Sequence, residues 1–201
     1  MLRVGLTGGL ASGKSFVGRA LAALGCLLVK ADDLGHAVLE PGGDAFDAVV
    51  KEFGRGILGD DGSIDRRRLA AEVFDRPDRL AVLNAIVHPP VIRIEEQMIG
   101  EFASKQPDGI AVVEAAILIE TGSYKRFDKL IVAACTPEQQ VERASERDGL
   151  TREEALARIA RQMPLQEKLK YADYVVDTSG AKEDTLRQVK EVWERLRRIA
   201  K

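Results

Sequence analysis

Residues 8 to 15 read Gly8-Gly9-Leu10-Ala11-Ser12-Gly13-Lys14-Ser15, with glycine at the first and sixth places and then lysine and a hydroxyl. A turn that wraps phosphate must aim several backbone N–H groups inward. Glycine therefore stands where a Cβ would collide with the anion or forbid the dihedrals. Lys14 brings a mobile positive charge and Ser15 a hydroxyl for Mg²⁺. The apolar run Leu2-Arg3-Val4-Gly5-Leu6 precedes the loop, and a helix-like segment beginning Phe16-Val17-Gly18-Arg19 follows it. Strand, loop and helix thus stand in the order a P-loop requires, and the helix N-terminus adds its own affinity for anions. Gly8 through Phe16 form the candidate nucleotide-binding stretch, a better account than a chance glycine-rich turn with a solvated lysine.

A P-loop points to a nucleoside triphosphate without saying where the phosphoryl group goes. Asp32 follows the apolar run that ends Val29-Lys30-Ala31, which in a parallel sheet puts it on the same rim as the loop. A carboxylate there can accept a proton from an attacking hydroxyl or order a water of Mg²⁺. Asp32 and Asp33 also suit an N-cap for a helix starting near Leu34, and position alone leaves both readings open. Arg143 and Arg147, four apart, share one face of a helix, and Arg158 and Arg161 follow on the next. They fit a mobile lid that neutralises phosphate and excludes water. They equally fit a mixed-charge surface with Glu142, Glu146, Glu153 and Glu154. Glu114, at the end of an apolar run, is the candidate acid behind a magnesium water, with Glu120 as its competitor. His88 stands before two prolines and reads first as a loop or core histidine. Cys26 and Cys135 fall in apolar runs, the setting of small buried hydrophobes rather than of a disulfide or metal site.

The elements that must position these residues are readable from periodicity. Apolar runs without strict alternation predict buried parallel strands at Leu2–Leu6, Cys26–Lys30, Ile110–Ala115, Leu130–Ala134 and Tyr174–Val176. Thr136-Pro137-Glu138 predicts an N-cap, a first-turn proline and an acid, and Thr151-Arg152-Glu153-Glu154 has capping-box spacing. A last helix is expected from about Lys182 to Ile199, its apolar stripe facing the core. The stretch from about residue 32 to 109 is too long for one crossover. It carries helical patterns at Ala45–Phe53, Arg67–Phe74, Arg79–Val87 and Val91–Ala103, the last two broken at His88-Pro89-Pro90. It reads as a helical insertion over the carboxyl edge of the sheet, where open α/β folds bind ligands.

With 201 residues, one core with an insertion is expected rather than a separate second domain. A net charge of −2 supplies no basic field for nucleic acid. No apolar run approaches the ~20 residues of a membrane span. A cytoplasmic protein with no membrane association and no obligatory protein partner is expected.

These features together resemble the dephospho-coenzyme A kinase family over nearly the whole length. The marks are Leu6-Thr7-Gly8-Gly9 leading into Ser12-Gly13-Lys14-Ser15, Ala31-Asp32, and Val38-Leu39-Glu40-Pro41-Gly42. They continue with Leu83-Asn84-Ala85-Ile86-Val87-His88-Pro89, Ile117-Leu118-Ile119-Glu120, Arg143 with Arg147, Gln162, and Ala172-Asp173-Tyr174-Val175-Val176-Asp177. The resemblance implies transfer of phosphate from ATP, with Mg²⁺, to the ribose 3′-hydroxyl of dephospho-coenzyme A, giving coenzyme A and ADP. The implied fold is α/β, a three-layer P-loop NTPase fold with a five-stranded parallel sheet, a helical substrate-binding insertion and a small lid. On this sequence the nucleotide core falls at about 1–35 and 108–201, the insertion at about 36–107 and the lid at about 145–170. Asp32 matches the family's proposed base, and Arg143 and Arg147 its arginine-bearing helix, which implies phosphate or adenine contacts. His88, inside one of the marks, becomes a substrate-binding candidate. Two positions depart from the family pattern: Lys30 stands where an acid is usual, and Ala116 where a proline is usual. If Lys30 and Asp32 are both on a strand they share a face, and the ammonium then favours ionised Asp32; otherwise Lys30 contacts a substrate phosphate or points to solvent. A different small-molecule kinase remains a rival reading. A GTP-dependent switch lacks its guanine-reading Asn-Lys-x-Asp, since Ala133-Ala134-Cys135-Thr136-Pro137 stands there, and intact Lys14, Ser15 and Asp32 argue against a degenerate module.

Overall fold

The computed structural model describes residues 1–200, which fall into two compact units: Met1–Lys30 with the chain from Ile99 onward, and Ala31–Met98. In the first unit the strands are β1 (Leu2–Gly8), β2 (Leu27–Lys30), β3 (Ile110–Glu114), β4 (Lys129–Ala134) and β5 (Tyr174–Asp177). The helices in chain order are α1 (Lys14–Ala23), α2 (Ala31–Ala37), α3 (Phe46–Phe53), α4 (Arg66–Val73), α5 (Pro77–Lys105), α6 (Pro137–Asp148), α7 (Arg152–Ala160), α8 (Leu165–Leu169) and α9 (Lys182–Ala200).

The five strands form one parallel sheet in the order β2-β3-β1-β4-β5. Central strands covered on both faces need no polar alternation, and β3 is buried at every residue. On one face Leu2, Val4, Leu6, Val112, Ile131 and Val176 pack with Val17 and Leu21 of α1 and Val189, Val192 and Leu196 of α9. The chain leaves β1 for β2, returns to β3 beside β1, and then crosses to β4 on the other side of β1. The order therefore reverses at β1. Ligands of open α/β sheets bind at such a switch point, outside the carboxyl ends of the strands, and β1 delivers Gly8 there.

Helix α1 is closed by a Schellman arrangement: Cys26 N–H on Leu21 O at 3.2 Å and Gly25 N–H on Ala22 O at 2.9 Å, with Gly25 at φ +94°. Both expected capping boxes form. Thr136 Oγ1 accepts from Gln139 N–H at 3.3 Å, and Thr151 Oγ1 from Glu154 N–H at 3.2 Å. They fix where α6 and α7 begin.

The second unit has its own core, in which Val38, Val49, Phe53, Ile57, Leu69 and Val91 are buried. Two expectations are corrected here. Helix α5 runs unbroken through Pro89 and Pro90, where a break at His88-Pro89-Pro90 was expected. The prolines remove the donors for the Ala85 and Ile86 carbonyls, and Ala85 is exposed, so water can replace them there. Packing of Leu83, Ile86 and Val87 before the prolines and Val91 and Ile94 after them keeps the two halves in one helix. Secondly, β2 ends at Lys30 and α2 begins at Ala31, so Asp32 and Asp33 lie in the first helical turn and neither is an N-cap near Leu34. Lys30 and Asp32 therefore do not share a strand face, because the period changes from 2 to 3.6 between them.

His88 is half-buried, and that burial pushes its imidazole below the ordinary value of 6.5. The unfolded chain then takes up a proton before the folded one does. The stability tied to this group is full above about 6.5 and is lost as the pH falls from there toward the lower folded value. The melting temperature should fall more steeply from about pH 7 to 5.5 in the native protein than in His88→Gln, and equal slopes would clear His88 of any part in it.

Candidate active site

The loop between β1 and α1 explains its own glycines. A Cβ on Gly8 would meet the Ala133 carbonyl oxygen at 2.5 Å and Ser12 Oγ closer still, and one on Gly9 would collide with Gln140 Nε2. Gly13 has φ +85° and faces Thr178 at 3.0 Å, so a side chain there meets both strain and contact. The α1 ladder starts with Phe16 and Val17 N–H on Gly13 O, at 3.0 and 3.1 Å. The amides of Gly13, Lys14 and Ser15 lie ahead of that ladder, at the positive end of the helix. Lys14 Nζ donates to Gly9 O at 3.0 Å, its stem folded over the loop.

The choice between the two candidate acids is decided by their partners. Ser15 Oγ donates to Glu114 Oε1 at 2.6 Å, and Glu114 is 6% exposed with its Oε2 buried and without a hydrogen-bond partner. Glu120 is engaged elsewhere: Lys168, fully buried, donates to Glu120 Oε1 at 2.7 Å and to Ala116 O at 3.0 Å. A hydroxyl oxygen beside a buried carboxylate with an unfilled oxygen is a hard-oxygen donor set. It fits a hydrated divalent cation that takes its other ligands from water and phosphate. Among the described residues no three His, Cys, Asp or Glu side chains gather as a metal cluster.

A cleft of about 560 Å³ opens over the loop, lined by Ala11 to Phe16 and by Arg19, Lys30, Arg143, Glu146 and Arg147. Cations outnumber the single carboxylate on its wall, which suits a polyanion. Arg143 is fixed from below, Nη2 donating to Thr178 O at 2.6 Å and Nη1 to Thr178 Oγ1 at 3.2 Å. Arg147, one turn on, donates through Nε and Nη2 to Asp148 at 2.8 Å each and is exposed. Arg158 and Arg161 are exposed and do not line this cleft. Lys30 does line it, and its backbone pairs in register with Glu114. Leu10 also touches this unit's helices, packing with Ala11 against Val141, Ala144 and Ala155. Asp32 and His88 belong to the second unit, in α2 and α5.

Sequence reasoning missed Thr178 and Gln140. Thr178 Oγ1 donates to Ser12 O at 2.8 Å and so ties the loop to the end of β5. A polar residue directly after a parallel strand was the available signal, the same one that singled out Asp32. Gln140 sits inside a capping-box helix and gave none. Both cysteines are free and buried, and burial raises both thiols, Cys26 to about 12.

A family model described as dephospho-CoA kinase matches residues 2–184. A dephospho-CoA kinase of Aquifex aeolicus is 41% identical over 198 residues, covering 98% of this chain and 99% of its own. A solved structure of a Thermus thermophilus protein superposes with TM-score 0.80 at 34% identity, covering 96% of this chain and 97% of that one. The solved dephospho-CoA kinase of Campylobacter jejuni gives TM-score 0.68 at 26% identity over 98% of this chain and 97% of its own. A phosphate loop at the switch point, a cationic cleft above it and this likeness along the whole chain agree, and the chain belongs to the dephospho-CoA kinase family.

Proposed function

We propose that this chain transfers the γ-phosphoryl group of ATP to the ribose 3′-hydroxyl of dephospho-coenzyme A, giving coenzyme A and ADP, the last step of coenzyme A synthesis. The observation that carries the reading is the Ser15–Glu114 pair at the mouth of a phosphate loop, in a chain 41% identical to a dephospho-CoA kinase. The amides of Gly8 to Ser15 hold the phosphates, and Phe16 completes the nucleotide-binding stretch. Lys14, Arg143 and Arg147 neutralise charge on the oxygens of the group in transit. Ser15, with Glu114 behind it, would hold Mg²⁺, which would supply charge neutralisation to the phosphate oxygens. Asp32 takes the proton from the acceptor hydroxyl, and His88 contacts the acceptor.

Residues of about 36–107 receive the bulky acceptor and about 145–170 act as the lid over the nucleotide core. Transfer needs a dry site, because a loosely bonded phosphoryl group otherwise passes to water. No helix among the described residues is long and apolar enough to cross a membrane. A net charge of −2, with cations gathered in the cleft, suits small polyanions and the cytoplasm.

The test is ADP release by the purified protein with Mg·ATP and dephospho-coenzyme A, adenosine monophosphate or no acceptor. Release only with dephospho-coenzyme A, matched by coenzyme A formation, is the expected result. Release that depends on the monophosphate, or on no acceptor, overturns the acceptor assignment while leaving the nucleotide site intact.

A further inference from the structure

Leu10 stands in the middle of the phosphate loop, and both of its backbone groups are taken by side chains from outside the loop. Its N–H donates to Gln162 Oε1 at 2.7 Å, and its carbonyl accepts from Gln140 Nε2 at 2.6 Å. The orientation of each amide follows from its partner, since an N–H can only donate and a carbonyl can only accept. The two groups belong to the peptide planes on either side of Leu10, so the pair of glutamines fixes both planes. The residue after them, Ala11, has φ +50°, a left-handed conformation that an L residue with a Cβ adopts only under strain. Strain of that kind persists only where the surroundings determine it from several sides. Here the surroundings are Gln140 on the Leu10 carbonyl and the contacts of Leu10 and Ala11 with Val141, Ala144 and Ala155.

The segment carrying Gln162 is itself anchored. Met163 N–H donates to Glu120 Oε1 at 3.2 Å, the same oxygen that receives the buried Lys168 ammonium. Lys168 also reaches Ala116 O, which Thr7 Oγ1 shares at 3.1 Å from the end of β1. A continuous set of hydrogen bonds therefore runs from β1 through the Ala116–Glu120 turn to the α7–α8 link, and returns to the phosphate loop through Gln162.

We infer that Gln140 and Gln162 are positioning residues for the nucleotide: a donor and an acceptor that set the phosphate loop in its binding shape before ATP arrives. Binding then needs little reordering of the loop, and affinity rises because that cost is already met. Because Gln162 stands just past the Arg161 C-cap of α7, the placement of α7 and the shape of the loop are coupled, and ATP should stabilise both together. This rests only on the nucleotide half of the proposed function.

The chemistry gives the two positions opposite requirements. Glutamate at 162 keeps an acceptor for the Leu10 N–H, whereas glutamate at 140 sets a carboxylate against the Leu10 carbonyl. Each adds the same charge near the phosphates, so the difference between them isolates the donor–acceptor logic. The measurement is the Kd of Mg·ATP for the full chain by titration calorimetry without any acceptor, backed by KM for ATP and for the acceptor in turnover. Gln140→Met and Gln162→Met should each weaken ATP about five- to tenfold, the scale of one hydrogen bond, with KM for the acceptor unchanged. Gln162→Glu should bind ATP at least about fivefold tighter than Gln140→Glu. Equal Kd values for the two glutamate variants, a reversed order, or ATP affinity at the native level in Gln162→Met overturns the inference. A loss of acceptor selectivity alone counts against the proposed function instead. If a methionine variant fails to fold, the glutamate pair still decides.

Discussion

Asp32→Asn is expected to lower kcat by ~10²–10⁴, the usual contribution of a positioned general base, while the Kd of ATP moves by no more than a few-fold. Asn keeps the size and the hydrogen-bonding reach of the side chain but cannot take a proton. It should leave α2 in place, because the helix starts at Ala31 on the heels of β2 and does not use Asp32 as a cap. The phosphate loop has its own supports at Thr178, Gln140 and Gln162. Affinity for ATP and turnover should therefore separate. Two measurements check it: kcat from coupled ADP release, and Kd from ATP titration of the same preparation. A native kcat in Asp32→Asn removes Asp32 as the base, and a collapse of ATP affinity would assign it to the nucleotide.

Lys14→Ala is the second large effect, expected to lower kcat by ~10²–10³, or about 2.7–4 kcal/mol of transition-state stabilisation. The ammonium rests on Gly9 O at 3.0 Å, an internal hydrogen bond that also keeps the loop closed over its stem. Alanine loses both the charge and that contact. Affinity for ATP should fall as well, since in the proposed reaction Lys14 meets phosphate in the ground state and more strongly as charge builds on the oxygens in transit. Fold stability should change little, because Lys14 is half-exposed at the first residue of α1 and outside the main core. Thermal melting of the variant without nucleotide separates the two effects. Lys14→Arg should not restore turnover, since a planar guanidinium on a longer stem is not a compact point charge. A kcat within a few-fold of native in Lys14→Ala would leave the cleft arginines as the main source of charge.

The phosphate loop was fully legible in the sequence because its constraints are local. Glycines must clear a turn, and a lysine and a hydroxyl must open a helix. The capping boxes at Thr136 and Thr151 and the buried strands were legible for the same reason, as neighbours three or two residues apart determine them. The strand ends shifted by a residue or two, as at β1, which runs on to Gly8. The break expected at Pro89-Pro90 failed because local preference was outweighed by burial on both sides of the prolines. The expected strand face shared by Lys30 and Asp32 failed because the helix begins one residue after the strand ends.

The sequence by itself determined the P-loop pattern with its lysine and hydroxyl, the order of strands and helices around it, and a family whose order of motifs the chain follows. Tertiary structure alone decided which acid meets Ser15. Glu114 and Glu120 are equivalent by residue type, and only the fold puts one against the serine and the other against buried Lys168. It alone decided that Gln140, Gln162 and Thr178 hold the loop, across 130, 152 and 166 residues of chain. Short-range preferences act through steric and hydrogen-bonding terms between neighbours in sequence and are written there. Contacts between distant residues exist only after parallel strands bring the carboxyl ends of β1, β3, β4 and β5 to one edge, and no local pattern encodes which side chains then face each other.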